Sequence, residues 1–390
     1  MSEQVLDPAI HQRSGAIGVM LTGIMTLVAV MGIGRFSLTP QIPLMIRDGY
    51  LSLSSAGILA AMNYIGYLAG AVQVSSIRSH HARYLKAGLL VTVLVTLLSG
   101  TTASFILQCL FRFLAGLGGA WALIIVTSWT QIELAERQTP KLSAAVFTGP
   151  GVGITLTGIL AWMMSLCSLS SEQAWYVYGT VAVAATVIVF PRLPASLPSS
   201  SRKNKPEPPG PDLKPLLVAY TLAGFGYILP ATFLSQMAHS VFSAGHQAAL
   251  FWPLFGLSAV TGVLLVIFSG SRVRVKPALA VAMAGQGAGV ASVIIIPGAT
   301  GLLISTVLTG LGFLSIMQLS MRLARDVSTG SVARNVAMLT SGYAAGQLVG
   351  PLVSSVSVTL FSSLEPALLL AAAGLVTGGI IVLTRIRTSG

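Results

Sequence analysis

Two arginines stand where the surrounding sequence is at its most apolar. Arg35 lies in "GIGRFSLTPQIP" (residues 32–43) and Arg112 in "RFLAGLGGA" (residues 112–120). A lone arginine at the centre of a bilayer-spanning helix costs about 2.5 to 3.5 kcal/mol on insertion scales, so a partner or a ligand has to offset it. The ten acids are Glu3, Asp7, Asp48, Glu133, Glu136, Glu172, Glu207, Asp212, Asp326 and Glu365, and all fall in polar segments or at the ends of apolar runs. None is placed to neutralise either guanidinium. A guanidinium without an internal counter-ion is suited to an external anion, because its planar fork can hold a carboxylate through two parallel hydrogen bonds. Asn63 and Tyr67, four residues apart and so on one helix face, together with Tyr227, Gln318 and Gln347, are the further candidates for contact with a small-molecule substrate. The competing assignment for such residues is helix joining, and for Arg35 it is a side chain reaching toward the interface.

The elements that must position these residues are membrane spans. The chain has 390 residues, 54% hydrophobic and only 8% charged, against roughly a quarter charged in soluble domains. Apolar runs of about 20 residues, the length that crosses a bilayer, follow one another from Ala16 to Leu383 and predict twelve helices. The first is read as a retained span, since Glu3 and Asp7 precede it and no cleavage site follows. Of the 22 Lys and Arg, all but Arg35, Arg47 and Arg112 fall before span 1, after an even-numbered span or at the end of the chain. The positive-inside rule then predicts both termini in the cytoplasm of a bacterial-type inner membrane. The expected organisation is a tail (1–13), a six-helix bundle (14–191), a Pro-, Ser- and Lys-rich linker (192–214), a second bundle (215–385) and a short tail (386–390).

The net charge of +12 is spread over short loops, which fits anionic lipid headgroups rather than nucleic acid. Cys109 and Cys167 form no CxxC pair and have no neighbouring His, so no metal or other cofactor is expected. Nor does the sequence set a nucleophile, base and orienting acid at one depth, so no enzyme is expected. The molecule is expected to be a monomer.

The two halves repeat one another. Gly32 and Gly34 of span 1 match Gly224 and Gly226 of span 7, and Gly70 matches Gly262. Gly116 and Gly118 match Gly310 and Gly312, and Gly149–Pro150 matches Gly350–Pro351. In this register Tyr227 is the counterpart of Arg35. It comes thirteen residues after Lys214, roughly 20 Å into the membrane at 1.5 Å per residue, which places Arg35 near mid-depth. Pro40 and Pro43 are expected to kink span 1. The glycines and prolines at Gly34, Gly116, Gly149, Pro150, Gly153, Gly346, Gly350 and Pro351 are expected to serve close packing or gating.

This plan resembles the major facilitator superfamily over essentially the whole chain, which implies an all-α membrane protein of two pseudo-symmetric six-helix bundles. "RFLAGLGGA" is similar to that family's fourth-span motif, and "GPGVG" (149–153) to its fifth-span antiporter signature, with Ile154 replacing the final glycine. The loop "SSIRSHHARYLK" departs from the family's GxxxDRxGRR pattern, leaving Glu133 and Glu136 to pair with Arg78 or Arg83. "GIGRF…TPQIPLM", "NYIGYLAGA" and "LAGFGY" look like the YbfB/YjiJ group. The resemblance implies alternating access of two rocking bundles. With the uncompensated arginines, the expectation is a secondary or facilitative transporter of a small organic anion. The alternatives are a multidrug-type efflux antiporter of amphipathic compounds and, more remotely, a non-transporting membrane sensor. Uniport, anion exchange and symport all stay open.

Overall fold

The computed structural model describes residues 8–77, 79–197, 212–242, 246–270, 272–327 and 332–387. Among them are twelve helical spans long and apolar enough to cross a membrane. Spans 1 to 6 are Gly15–Arg47, Leu53–Val74, His81–Leu98, Phe105–Glu136, Lys141–Leu166 and Ser171–Arg192. Spans 7 to 12 are Leu213–Val241, His246–Ser269, Val275–Ile295, Ala299–Asp326, Met338–Phe361 and Glu365–Arg385. The first helix begins at Pro8, upstream of the span start expected at residue 14. Most of the expected linker, residues 198–211, and part of the expected N-terminal tail lie outside the described residues.

Span 1 is interrupted. It runs as an α-helix over Pro8–Leu27, widens to a π-helix over Val28–Ile33, turns at residues 34–37 and restarts as Leu38–Arg47. The kink expected at the prolines therefore falls one turn earlier, around Arg35. Proline lacks an N–H and its ring clashes with the carbonyl four residues before it, which for Pro40 is that of Phe36. Regular helix has to stop before Phe36, and Pro40 then sits in the first turn of the new segment, where N–H groups lack helical partners anyway. Pro43 is carried inside that segment.

The repeat seen in sequence recurs contact by contact. A Cβ on Gly116 would overlap the Asn63 carbonyl oxygen, and one on its counterpart Gly310 would crowd the Phe255 carbonyl oxygen. Gly70 faces the Leu117 carbonyl and Gly262 the Leu311 carbonyl. Spans 2 and 4 thus meet as spans 8 and 10 do. Span 1 is held on span 5 where Gly32 meets Gly153 and Gly149 meets Leu27, while Gly346 and Gly350 seat span 11 on Thr221 and Ile228 of span 7. Lipid offers no hydrophobic drive between helices, so small residues that let backbones approach supply the cohesion. Pro150 begins the helix of span 5 beside Gly149, and Pro351 lies inside the helix of span 11.

The halves meet along three crossings. Thr39 of span 1 donates to the Ala231 carbonyl of span 7 at 2.9 Å, and these residues are 192 apart, the offset that relates the repeats. This contact therefore lies on the pseudo-two-fold axis. Span 5 packs on span 8, with Trp252 Nε1 donating to Thr157 Oγ1 at 3.2 Å, and span 2 on span 11, with Ser355 donating to the Ser54 carbonyl at 2.7 Å.

At that end of the molecule Arg47 pairs with Asp48 at 2.8 Å and donates to the Leu169 carbonyl at 2.9 Å, while the second Asp48 oxygen accepts from the Ser171 amide at 2.7 Å. Partial burial works against ionising Asp48. The bonds from Arg47 and Ser171 together outweigh it and hold the carboxyl below its usual value of 3.8. At the other end Glu133 pairs with Arg137 at 2.7 Å rather than with Arg83, and Arg78 lies outside the described residues.

Two outcomes follow from these contacts. Gly116→Val should lower the unfolding free energy by at least about 2 kcal/mol, as overpacking does. Gly285→Val, where a Cβ meets nothing within 4 Å, should leave the melting temperature of the purified protein unchanged. For Asp48, only the ionised form accepts both bonds. Its stabilisation is complete above pH 3.8 and lost as pH falls through the lower value in the fold. Thermal melts of Asp48→Asn and the parent chain should differ at pH 7 and converge as the pH falls from 3.8 through the lowered value of the folded state.

Candidate functional site

The turn at 34–37 delivers Arg35 and Phe36 to the meeting of the halves. Arg35 is 7% exposed, and its guanidinium carbon lies 4.6 Å from the Tyr64 ring centre, 4.9 Å from that of Tyr67 and 5.2 Å from that of Phe36. Ring faces are electron-rich, so three of them partly replace the water the cation has lost. Its Nε and Nη2 have no hydrogen-bond partner. These two nitrogens form one edge of the fork, the edge that takes both oxygens of a carboxylate. The Arg35 side chain lines a cavity of about 10 Å³, together with Phe36, Thr39, Asn63, Tyr64 and Thr232 and with apolar side chains between. That is room for about one water molecule, so the halves are closed on the site.

Asn63 donates through Nδ2 to the Arg112 carbonyl at 3.0 Å, and its Oδ1 has no partner. Across the axis the second half presents a column of rings. Tyr220 stacks on Tyr343 at 4.4 Å, Tyr343 on Tyr227 at 5.6 Å and Tyr227 on Phe313 at 4.6 Å. Phe313 in turn meets Phe36 edge-on at 5.7 Å. The Tyr227 hydroxyl, which accepts from Gln347 Nε2, is an electrostatic neighbour of Arg35.

Arg112 is placed differently. It is fully buried, donates through Nη1 to the Gly34 carbonyl at 3.1 Å and lies 4.7 Å from the Trp175 ring centre; its Nε and Nη2 are unpaired like those of Arg35, but it does not line the cavity. It grips the backbone one residue before Arg35 and so fixes the turn that carries it. The structure thus brings together Arg35, Asn63, Tyr67 and Tyr227, sets Gln347 behind Tyr227 and Arg112 behind Gly34, and leaves Gln318 elsewhere, donating to the Ala144 carbonyl at 3.4 Å. Sequence reading missed Tyr64, Phe36 and Thr232. Tyr64 was findable, since it stands three residues before Tyr67 and shares its helix face. Among the described residues no group of His, Cys, Asp or Glu could hold a metal ion.

The profile of the family described as "Uncharacterised MFS-type transporter YbfB" matches residues 27–383. The chain belongs to this branch of the major facilitator superfamily. It is 24% identical over 229 residues to the "Uncharacterized MFS-type transporter YceJ" of Bacillus subtilis (strain 168), a match covering 57% of this chain and 54% of that protein. The chain thus spans about half the length of the curated relative it matches. Two solved structures share the fold. A point mutant of the nucleoside transporter NupG matches with a TM-score of 0.75 at 12% identity, over 95% of this chain and all of that one. The D-xylose-proton symporter matches with a TM-score of 0.76 at 13% identity, over 96% and 98%.

The family is one of MFS-type transporters, and transporters of this type bind small-molecule substrates. In this chain's fold Arg35 is a cost to stability, since each buried donor left unpaired costs about 1 to 3 kcal/mol and the flanking rings return only part of that. Arg35→Met should melt at the same temperature as the parent or higher when no ligand is present. A drop of several degrees would mark Arg35 as a structural residue.

Proposed function

We propose that this facilitator moves a small organic anion across a bacterial-type inner membrane by alternating access, with Arg35 as the counter-charge that the substrate meets. The observation that carries this reading is a buried guanidinium with an unpaired Nε–Nη2 edge on a side chain that lines the cavity between the halves. Asn63, Tyr64 and Tyr67 line the anion from the first half and Tyr227, fixed by Gln347, from the second. Arg112 positions the turn rather than the ligand. In this reading the termini are cytoplasmic, the monomer is the working unit and the basic loops face anionic headgroups.

Alternating access accounts for the bonding between the halves. On the face carrying Asp48, Ser54 bonds Thr359 at 3.0 Å and Ser165 bonds His246 at 3.1 Å. This arrangement is then the limb of the cycle closed toward that face.

The reading is tested by thermal stabilisation of the purified transporter with small carboxylates, phosphate, neutral amphiphiles and lipophilic cations. A ligand at 100 times its dissociation constant adds about 2.7 kcal/mol. Anions should stabilise the parent and not Arg35→Gln, whereas stabilisation by cations that survives in Arg35→Gln would replace the anion reading with the efflux one. Cysteines at Ser54 and Thr359, in a background with Cys109→Ser and Cys167→Ser, should cross-link on oxidation. Uptake of the selected anion into proteoliposomes should then stop and resume on reduction. Uptake that continues in the cross-linked protein would exclude this crossing as a gate.

A further inference from the structure

We infer that the anion is an aromatic monocarboxylate, a reading that rests on the Arg35 anion site proposed above. Charge sets the first limit. Arg35 has one unpaired edge and lines the cavity, whereas Arg112, the other guanidinium within a span interior among the described residues, does not line it and sits behind the Gly34 carbonyl and the Trp175 ring. One negative charge finds a partner there, and a second would be buried without one. The same count excludes amino acids and amines. A substrate ammonium would meet Arg35 and, among the described residues, no carboxylate within a span interior.

The polar groups set the second limit. Thr39 spends its hydroxyl on Ala231, Asn63 spends its Nδ2 on Arg112 and the Tyr64 and Thr232 hydroxyls pair with one another, which leaves the Asn63 Oδ1 and the remaining capacity of those two hydroxyls for the ligand. A polyol would carry more hydroxyls into the cavity than these can satisfy, and each unpaired one is penalised. The body of the ligand is therefore apolar, with at most one or two polar substituents.

The walls set the third. Tyr64, Tyr67 and Phe36 flank the guanidinium from the first half, and the stacked column of Tyr343, Tyr227 and Phe313 closes from the second. A carboxylate paired bidentately lies in the plane of the guanidinium, and conjugation keeps an aryl ring in the plane of its own carboxylate. A flat aryl carboxylate accordingly extends the plane of the cation between ring walls when the halves part, and aromatic pairs gain beyond their buried area. A saturated or puckered body of the same size has no such fit.

The test is a set of dissociation constants, measured by thermal shift on the full chain in lipid nanodiscs. The probes are benzoate, cyclohexanecarboxylate, acetate, terephthalate, L-phenylalanine, benzamide and inorganic phosphate. Benzoate should bind at least ten-fold more tightly than acetate, terephthalate or L-phenylalanine, and more tightly than cyclohexanecarboxylate. Arg35→Lys, which keeps the charge and loses the fork, should weaken benzoate at least ten-fold, and Arg35→Gln should abolish its binding. Tyr64→Leu should erase the preference for benzoate over cyclohexanecarboxylate while leaving binding dependent on Arg35. Acetate, terephthalate or phosphate binding as tightly as benzoate, and lost in Arg35→Gln, would overturn the aromatic monocarboxylate and leave the anion site standing. Benzamide equal to benzoate, benzoate unchanged in Arg35→Gln, or no anion bound at all would overturn both.

Discussion

A guanidinium taken out of water is the constraint around which this molecule is arranged. Arginine, unlike lysine, does not shed its charge on burial, so two such groups in a membrane domain have to be supplied with electron density from the protein or its ligand. Arg112 is supplied by a backbone carbonyl and the Trp175 ring. Arg35 is supplied by three rings and the neighbouring Tyr64 and Tyr227 hydroxyls, and both arginines keep the Nε–Nη2 edge of the fork unpaired. What separates them is the cavity between the halves, which Arg35 lines and Arg112 does not, and that assigns the two residues different work. Arg112 closes a contact within the first bundle, and Arg35 holds open a demand that only something entering the cavity can meet.

The fold reaches this arrangement by laying asymmetric chemistry on a symmetric frame. Glycines at matching positions set the same helix approaches in both halves, and Thr39 meets its own counterpart Ala231 at the axis. One turn from that contact the halves diverge, Arg35 on one side and Tyr227 on the other. Where the first half has Arg112, the second has Thr306 at the matching offset. The cations belong to one bundle and a stacked aromatic wall to the other. In the alternating access proposed above, rocking the bundles would change how much of the wall faces the charge while the charge itself stays fixed.

How far the sequence revealed this depends on what each residue's role requires. The spans and the repeat were readable because apolar length and glycine spacing are themselves the cause of the packing. The position of the break was misjudged because a proline acts on the carbonyl four residues before it, so Pro40 marks a turn that opens at Arg35. Arg112 read as a candidate ligand because its partner, the Gly34 carbonyl, exists as an acceptor only once span 1 is folded against span 4. Gln318 was misplaced because the rotation of span 10 is set by Gly310 and Gly312, which turn Phe313 toward Phe36 and Gln318 toward Ala144. Tyr64 was overlooked beside Tyr67, although a spacing of three shares a face as well as a spacing of four.

The bonds that join the halves are of a strength suited to being broken. Those at Thr39, Ser54, Ser355, Ser165 and Trp252 are hydrogen bonds without an ionised side chain opposite a carboxylate. Such bonds contribute about 0.5 to 1.5 kcal/mol each on balance. A ligand shifts an equilibrium between two arrangements only by the difference in its affinity for them. Charge-assisted bonds to a buried guanidinium are about twice as strong as neutral ones, so filling the free edge of Arg35 is of the same order as undoing one or two of these contacts. A latch of ion pairs would have locked the closed limb against any small substrate. A cation left unpaired at the axis makes that limb sensitive to whether the cavity is filled.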